Sequence, residues 1–514
     1  MSGSQNSYQP SHTVLQASVT NVGQLFKNTA KQHYTDIAIT EHDQHITYGE
    51  LNNRVNQLAN SLVGKGLKSG DRVGLLARNC AAFLEVELAC AKIGTILVSL
   101  NWRLAKEEID HCLELTQPSL VFVAIEFQEL LHHNSKIQNI LFHTEYENLL
   151  RNSSTEEPIN VVSAEDGLVI IFTSGTTGLP KGALISHRAI ITRALIFAGE
   201  TSAPKNDTFI AWTPLFHMGS NDFGIATLLR GGRVVIIDGY QPDKIIKTIE
   251  TYPVHYLTVV PGMIEDFICQ LKLLKVKPKS IGLIGAMADL VPRSLLKEIT
   301  TLLDAPYFNT FGSTETGNPP ASGNLIPVGI SPEGLSKKQN NFCEIRLVDP
   351  DDNDVKDGEP GELAIRGPSL FSGYWANEKA NAEAFRNGWF HMGDVFRRTP
   401  DGLLDFVDRV KYMIKSGGEN IYPAEIEQHI MVDDRIIDVA VVRKPDPRWG
   451  EVPVAFVVSK SDEMKSADII DLCRDRIAKY KLPKEVYFMQ NEEMPRSTSG
   501  KIQRHILEKI LGNK

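Results

Sequence analysis

Short apolar segments alternate with amphipathic ones along most of the chain, and this alternation restricts the possible folds more than any other feature. The capping box Thr47-Tyr-Gly-Glu50 begins a helical pattern, and the apolar segment Arg72–Leu76 follows it. A helical stretch, Ala81–Ile93, then leads to a strand-like segment at 95–100. The same pattern recurs at residues 233–237, 255–260 and 280–286. Strands that alternate with helices predict parallel sheets covered by helices, so we expect a doubly wound α/β fold.

The pattern changes in the second half of the chain. Two antiparallel-looking strands at 344–348 and 362–366 flank a charged loop rich in turn residues, which predicts a β-rich subdomain. Roughly a hundred residues follow Arg409 and contain their own strands and helices, enough for a small α+β domain. We therefore expect a flexible lead-in at 1–17, a large domain at 18–409 and a small mobile domain at 410–514.

Composition excludes several functional classes. The net charge of −9 over 514 residues, spread along the chain, argues against a nucleic-acid-binding face. The six cysteines lack metal-ligand or CxxC spacing, which argues against a zinc site or a disulfide framework and fits a reducing compartment. The start has no apolar leader, and no stretch is long and apolar enough to span a bilayer. We expect a cytoplasmic protein.

The segment GLVIIFTSGTTGLPKG at 167–182 carries the strongest chemical signal. Residues 168–172 read as a buried strand, and Lys181 supplies a positive charge after the loop. The loop between them offers backbone N–H groups and hydroxyls from Ser174, Gly175, Thr176, Thr177 and Gly178. The spacing excludes a Walker loop, because Lys181 follows Pro180 and precedes a glycine. The segment therefore predicts another kind of triphosphate or pyrophosphate loop, with an ordinary strand and surface loop as the alternative.

Further segments occur in a fixed order with this loop: LFHMGS, FGSTE, GWFHMGD, DRVKYMIK and PRSTSGK. Together they resemble the adenylate-forming superfamily of acyl- and aryl-CoA synthetases, luciferases and peptide-synthetase adenylation domains. The resemblance runs from about Thr20 to the end of the chain. It implies that the loop starting at Thr173 grips the β- and γ-phosphates of ATP.

The resemblance also implies roles for single residues around the nucleotide. Phe311, where the family usually has tyrosine, would stack on adenine, which needs only the face of the ring. Thr314 would contact the α-phosphate, and Glu315 would bind Mg²⁺. Asp394 would accept hydrogen bonds from the ribose hydroxyls, and Arg409 would reach the ribose or a phosphate. Met392 replaces the threonine that is frequent beside this aspartate.

Other family features concern a two-step reaction, in which the acid is first adenylated and its acyl group is then transferred to a thiol. The resemblance implies that His217 gates the mouth between the acyl pocket and the thiol channel, and that Lys501 is the catalytic lysine of adenylation. The small domain would swing about a hinge at Lys411. This movement would remove Lys501 and bring in a face that lines the CoA channel, formed by Lys415, Gly417, Gly418 and Glu419.

The resemblance to stand-alone ligases predicts an acyl-CoA synthetase that uses ATP, Mg²⁺ and CoA. The acyl pocket would include Val260, Gly285, Ala286, Gly312 and Gly317. We expect the small residues to leave room and find no obvious buried charge to counter a second carboxylate. We therefore expect a medium-to-long aliphatic acid, as in fatty-acid metabolism. The alternatives are an enzyme that loads a separate carrier protein, a luciferase-like oxygenase and a catalytically silent binding protein, and a homodimer stays open.

Overall fold

The computed structural model describes residues 20–131, 137–159, 161–173, 179–285, 287–321, 324–417, 419–461, 463–474, 476–496 and 502–512. The lead-in expected at 1–17 lies outside these ranges. So do several of the predicted site residues, namely Ser174, Gly175, Thr176, Thr177, Gly178, Ala286, Gly418 and Lys501.

A six-stranded sheet carries the first alternating segments. Its strands follow the spatial order Gln138–Leu141, Leu120–Val123, Arg72–Leu76, Ile96–Ser99, Gly167–Thr173 and Lys181–Ser186. Neighbours are parallel except for the last two, which form an antiparallel hairpin. The two faces of the sheet pack into different hydrophobic clusters, with Val73 on one face and Val121 on the other. Burial on both faces explains why the strands are continuous apolar runs rather than alternating ones.

An eight-stranded sheet forms the second large layer. Its order is Leu325–Ile326, Tyr307–Phe308, Ile281–Ile284, Val254–Leu257, Thr208–Ala211, Arg233–Ile236, Ile37–Glu41 and Gln44–Thr47. The outermost strand at each edge is antiparallel to its neighbour, and the strands between them are parallel. This topology confirms the doubly wound α/β architecture that the sequence predicts.

The described α-helices cover these sheets and the smaller ones. They are Val22–Gln32, Tyr48–Gly64, Ala81–Ile93, Lys106–Thr116, Thr144–Arg151, His187–Thr201, Met218–Leu229, Pro242–Thr251, Ile264–Leu274, Arg293–Leu303, Glu378–Ala384, Pro423–Ile430, Ser466–Cys473 and Arg504–Gly512. Thr47 and Glu50 form the predicted capping box at the start of Tyr48–Gly64. Among the residues that the structure describes, no helix combines the length and apolar composition needed to cross a membrane.

The largest hydrophobic core lies between the two large sheets. Two helices, Ala81–Ile93 and Met218–Leu229, are buried there along almost their whole length. The two helices touch at Gly224, where an added Cβ would lie 3.7 Å from the Leu84 side chain. Helices buried on all sides have no polar face to show to water, so any charged residue on them needs a partner inside the protein.

The second half of the chain forms smaller sheets. The predicted β-rich subdomain contains the strands Glu344–Val348, Pro360–Arg366, Trp389–Arg398, Phe385–Arg386 and Leu404–Arg409. A two-stranded sheet pairs Phe311–Ser313 with Gly317–Ala321. The last sheet contains Glu419–Ile421, Ile414–Ser416, Gly450–Ser459, Ile436–Asp446 and Glu485–Phe488. Short 3₁₀ helices occur at Ile125–Leu131, Pro261–Met263, Ala288–Leu290, Val410–Tyr412, Lys479–Lys481 and Asn491–Glu493.

Two predicted strands are shorter than expected, each for a local reason. The strand expected at 255–260 ends at Leu257, shortly before the 3₁₀ helix that Pro261 begins. The strand expected at 280–286 ends at Ile284, because Gly285 turns the chain with φ +78°. The six cysteines are all free thiols, of which Cys269 is exposed.

Candidate active site

A β-hairpin presents the predicted phosphate loop at the edge of the six-stranded sheet. Thr173 ends one strand and lies opposite Lys181, which begins the next. The strand before the loop is buried from Leu168 to Ile171, so the position of Thr173 is fixed by the core below it. The structure thus places the first residue of the loop and its lysine side by side.

Tyr374 lies between the lysine of the hairpin and the predicted magnesium carboxylate. Its hydroxyl donates a hydrogen bond of 2.9 Å to Oε1 of Glu315, and its ring lies 5.1 Å from Nζ of Lys181. Backbone hydrogen bonds hold the 371–375 loop against Lys181–Ser186, including one of 2.7 Å from the N–H of Trp375 to the carbonyl of Gly182. Burial, helped by the charge of Glu315, raises the pKa of Tyr374, so the hydroxyl stays protonated and acts as a donor.

Asp394 and Arg409 face each other across two antiparallel strands of the β-rich sheet. Their backbones are paired in register, and Nε of Arg409 lies 3.0 Å from Oδ1 of Asp394. The charge of Asp394 is the main cause that raises the pKa of Arg409, and Glu315 contributes to the same shift. The predicted ribose carboxylate, Asp394, and the predicted magnesium carboxylate, Glu315, therefore both stabilise the charge of Arg409, which links them within the candidate site.

The tight hairpin 311–321 carries Thr314 and Glu315 at its turn. Thr314 is buried, and its carbonyl accepts a hydrogen bond of 3.1 Å from Nη2 of Arg193. The N–H of Phe371 donates to the carbonyl of Glu315 at 2.8 Å, which fixes the backbone beside the carboxylate. The turn is thus held from both sides before any nucleotide binds.

Phe311, predicted to stack on adenine, already has aromatic neighbours. Its ring is stacked on Phe406 at a centroid distance of 5.4 Å and meets Phe396 edge-on at 4.7 Å. The side chain is only 3% exposed. Since Phe406 covers one face, only the opposite face is left for a base, and stacking on adenine stays a prediction.

The predicted gate residue His217 is followed at once by a buried helix. His217 is partly exposed and immediately precedes the helix Met218–Leu229, which carries Asp222. Nη1 of Arg193 lies 3.0 Å from Oδ2 of Asp222, and both side chains are more than nine-tenths buried. Burial raises the pKa of Asp222 above its usual value, and the charge of Arg193 opposes this rise only in part. A buried charge pair therefore adjoins the predicted acyl pocket, and its two charges balance each other.

A second buried carboxyl lies close to this pair. Nδ2 of Asn221 donates to Oε2 of Glu87 at 2.5 Å, and Glu87 is fully buried on the central helix Ala81–Ile93. Burial raises the pKa of Glu87 to about 8, and Asp222 contributes to the rise. We did not predict a role for these charged residues from the sequence, although charges inside otherwise apolar helical stretches are a signal of buried polar groups.

The glycines of the predicted acyl pocket do not leave open space, contrary to our expectation. A Cβ added at Gly285 would lie 2.1 Å from the ring of Tyr307, and one at Gly312 would lie 1.9 Å from the carbonyl of Gly317. At Gly317 it would lie 2.7 Å from Arg193. These positions are glycine because neighbouring groups already fill the space of a side chain. Val260, in contrast, does line a cavity, together with Trp212, Thr258, Val259 and Met263.

The predicted CoA face and hinge lie where the chain passes between sheets. The strand Leu404–Arg409 belongs to the β-rich sheet, whereas Ile414–Ser416, which contains Lys415, belongs to the last sheet. Lys411 lies on the short 3₁₀ helix between them and is exposed. Lys415 and Glu419 are also exposed, as a surface for an anionic cosubstrate requires.

Gly417 and Trp449 are packed together on this face. The N–H of Gly417 donates to the carbonyl of Trp449 at 2.7 Å, and a Cβ at Gly417, which has φ +59°, would lie 2.7 Å from the indole ring. Beside the hinge, Asp408 accepts hydrogen bonds from the N–H groups of Arg409 and Ala424 at 2.6 and 2.7 Å. Burial raises the pKa of Asp408 to about 6.

The donor set fits magnesium bound together with a nucleotide. The described part of the chain holds no group of three or more histidine, cysteine or acidic side chains that could bind a metal unaided. Glu315 is a partly exposed carboxylate beside the predicted phosphate loop. Mg²⁺ commonly takes one or two carboxylates and completes its shell with substrate phosphates and water, so this single carboxylate suits it.

Two protein-family models match most of this chain. The AMP-binding enzyme family matches residues 26–375, and the AMP-binding enzyme C-terminal domain matches residues 425–501. The chain is 33% identical to an indoleacetate–CoA ligase of Aromatoleum aromaticum, over 93% of this chain and 96% of that protein. It is also 33% identical to a feruloyl-CoA synthase of an Amycolatopsis species, over 89% of this chain and 92% of that protein.

Solved structures of CoA synthetases are also similar to this chain. The o-succinylbenzoate CoA synthetase of Bacillus subtilis, solved with its acyl-adenylate intermediate, is 27% identical with a TM-score of 0.81, covering 94% of this chain and 97% of that one. A fatty acyl CoA synthetase of Mycobacterium tuberculosis is 27% identical with a TM-score of 0.77, covering 96% and 98%. The predicted arrangement of a large N-terminal and a small C-terminal domain is thereby confirmed.

Proposed function

We propose that this chain, which belongs to the AMP-binding enzyme family and is an AMP-forming acid–CoA ligase, activates an aromatic carboxylic acid. Such an enzyme couples its acid to ATP, releases pyrophosphate and then transfers the acyl group from the adenylate to CoA. A carboxylate resists attack by a thiol, because its charge and resonance make it a poor electrophile. The adenylate replaces this charge with a good leaving group.

The first step makes negative charge, and the candidate site is arranged to stabilise it. We assign Lys181 and the loop after Thr173 to the β- and γ-phosphates, and Thr314 to the α-phosphate. Lys501 is assigned to the bridge between the carboxylate and the α-phosphate. Preorganised cations and N–H groups are the main source of rate enhancement in phosphoryl and nucleotidyl transfer, since no covalent intermediate with the protein is needed. The hydrogen bonds that hold the turn at Thr314 support this assignment.

Glu315 would hold Mg²⁺, which neutralises phosphate charge when it is bound with ATP. Tyr374 supports this assignment, because its hydroxyl fixes one oxygen of Glu315 and leaves the other available. Asp394 would accept hydrogen bonds from the ribose hydroxyls while its other contact orients Arg409. The single observation that carries the nucleotide assignment is the shared neighbourhood of Glu315, Arg409 and Asp394.

For the second step we assign the thiol channel to the face around Lys415, Gly417 and Glu419, with Lys411 as the hinge. The change of sheet between Arg409 and Ile414 supports a joint at this place. The domain boundary at 409 is part of the same proposal. The close packing of Gly417 on Trp449 supports a surface with no room for a larger side chain.

An aromatic substrate is supported by the surroundings of the predicted gate. Phe197 and Phe223 meet edge-on at 4.8 Å and line a cavity together with Met218. Tyr256 lies behind them, 4.7 Å from Phe223. Aromatic walls contact a flat ring with favourable edge-to-face geometry. Relatives that act on indoleacetate and ferulate are about equally similar to this chain, which also favours an aryl acid.

The aliphatic acid expected from the sequence is the second candidate. The cavity beside Val260 is lined mainly by apolar side chains, including Trp212 and Met263, and an alkyl chain would fit such a lining. A fatty acyl CoA synthetase is among the similar solved structures. The two candidates differ in which cavity receives the part of the acid farthest from its carboxylate.

The test is detection of AMP and acyl-CoA by mass spectrometry, with purified protein, ATP, Mg²⁺, CoA and a panel of aryl and aliphatic acids. We expect thioester chiefly from aryl acids. Thioester from aliphatic acids alone would replace the first candidate by the second. Acyl-adenylate without thioester, followed by transfer to a phosphopantetheine protein, would indicate a carrier-loading enzyme.

A further inference from the structure

A small cavity, with room for a single water-sized group, lies beside the buried charge pair. It is lined by Arg193, Phe197, Met218, Asp222, Phe223 and Asn318, with Ala194 and Ala226 completing the wall. Met218 follows the gate residue His217, and Asn318 follows the predicted pocket residue Gly317. Two residues of the cavity wall are thus sequence neighbours of residues predicted to border the acyl site. Its walls are largely aromatic and apolar, apart from one amide and one ion pair.

The arginine of the pair is already occupied. Nε of Arg193 donates to the carbonyl of Ser369 at 3.0 Å, Nη1 to Oδ2 of Asp222 at 3.0 Å, and Nη2 to the carbonyl of Thr314 at 3.1 Å. Each of its three nitrogens thus has an acceptor, and its charge is balanced by Asp222. A second carboxylate on the substrate would meet an arginine without a free charge and would lie close to Asp222.

The aspartate of the pair is only half satisfied. Oδ2 of Asp222 accepts from Arg193, whereas Oδ1 is buried and has no hydrogen-bond partner among the residues that the structure describes. The side chain is 9% exposed and lines the cavity. An ionised carboxylate has acceptor sites on both oxygens, and a buried acceptor is normally paired. An unpaired oxygen in the wall of a ligand cavity calls for a donor that arrives with the ligand.

We infer that Asp222 selects among aromatic acids by accepting a hydrogen bond from a hydroxyl or N–H group on the ring. The inference rests on the proposed function and makes Asp222 a specificity-determining residue for it. A neutral donor suits the site better than a cation does, because Arg193 already balances the charge of Asp222. The donor group would enter the small cavity, and Phe197 and Phe223 would contact the ring that carries it while the carboxylate of the acid faces the nucleotide.

The inference predicts how the enzyme treats pairs of acids that differ by one methyl group. The probes are the 2-, 3- and 4-hydroxyphenylacetates with their methoxy counterparts, and indoleacetate with its N-methyl counterpart. In each pair the methylated acid lacks the donor. A site built to bond a donor rejects an analogue without it strongly, since the buried acceptor is then left unpaired. For at least one pair we expect kcat/KM to be 30-fold or more higher with the donor.

Asp222→Asn tests the residue itself. The amide oxygen must stay on Arg193, which can only donate, so the amide NH₂ turns toward the ring. The donor-to-methyl ratio of kcat/KM should then fall at least tenfold, with most of the loss in the donor acid. Glu87→Gln is the matched control, because Glu87 is a nearby buried carboxyl that does not line the cavity. This variant should keep the wild-type ratio.

The possible results of these measurements separate the inference about Asp222 from the proposed function. A ratio near 1 for every pair in an active wild-type enzyme overturns the inference, and this measurement does not depend on whether Asp222→Asn folds. An equal loss of activity with both members of a pair in Asp222→Asn means that Asp222 has only a structural role, and also overturns it. If no aryl acid yields thioester, the proposed function, with an aromatic acid as substrate, is wrong, and the inference falls with it.

Discussion

The hydroxyl of Tyr374 gives the sharpest test of how the candidate site is organised. Tyr374→Phe removes only the oxygen that donates to Glu315 at 2.9 Å, and keeps the ring that lies 5.1 Å from Nζ of Lys181. A hydrogen bond to a charged group contributes about 1.5–3 kcal/mol. Glu315 is partly exposed, so we take the lower limit, about 1.5 kcal/mol. Because each 1.4 kcal/mol is a factor of ten, kcat/KM for MgATP should fall roughly tenfold.

The assay is pyrophosphate release at varied MgATP with saturating acid. Tyr374→Leu also removes the ring over Lys181, and a cation–π contact of about 0.5–1 kcal/mol predicts a further loss of roughly threefold. Tyr487→Phe is the control, because its hydroxyl donates to Glu485 at 2.5 Å in the last sheet. If Tyr374→Phe leaves kcat/KM for MgATP unchanged, or changes it no more than the control does, Tyr374 does not position Glu315.

Three further predictions concern the core and the ribose contact. Between pH 4.5 and 8 the folded protein keeps a proton on Glu87 that the unfolded chain releases, so the free energy of unfolding falls as the pH rises. Glu87→Gln should remove on the order of 4 kcal/mol of this fall. The measurement is Tm as a function of pH. Gly285→Ala places a Cβ against the Tyr307 ring at a residue with positive φ, and should lower the free energy of unfolding in urea by about 2–4 kcal/mol. The control is Gly199→Ala, on a helix with open space beside it, which should not lower the free energy of unfolding. Asp394→Asn should lower the preference for ATP over 2′,3′-dideoxy-ATP at least tenfold; an unchanged preference would remove Asp394 from the ribose site.

The order of elements could be predicted well from the sequence, because local patterns fix them. The capping box at Thr47 begins a helix as expected, and the segments Arg72–Leu76 and Ala81–Ile93 keep their predicted bounds. Strand ends were less accurate where a backbone turn decides them, as at Gly285. A glycine indicates conformational freedom, but the sequence does not show what occupies the space beside it.

The candidate site divides in the same way. Motif order identified Glu315, Asp394 and Arg409, and the resemblance gave each an expected role. The sequence could not show that Tyr374 bonds Glu315, because the two are 59 residues apart and meet only when the 371–375 loop packs on the phosphate hairpin. It also could not show that Phe311 is already stacked on Phe406.

By itself, the sequence determined the alternation of strands and helices, the strand before the predicted phosphate loop and the family, because these depend on local periodicity and on motifs of a few adjacent residues. Only the tertiary structure decided the character of the acyl site. Tyr307 and Arg193 fill the space beside the glycines, and Arg193 neutralises Asp222 between the helices His187–Thr201 and Met218–Leu229. These contacts join distant parts of the chain, and whether a buried charge is free or paired depends on such contacts rather than on residue type.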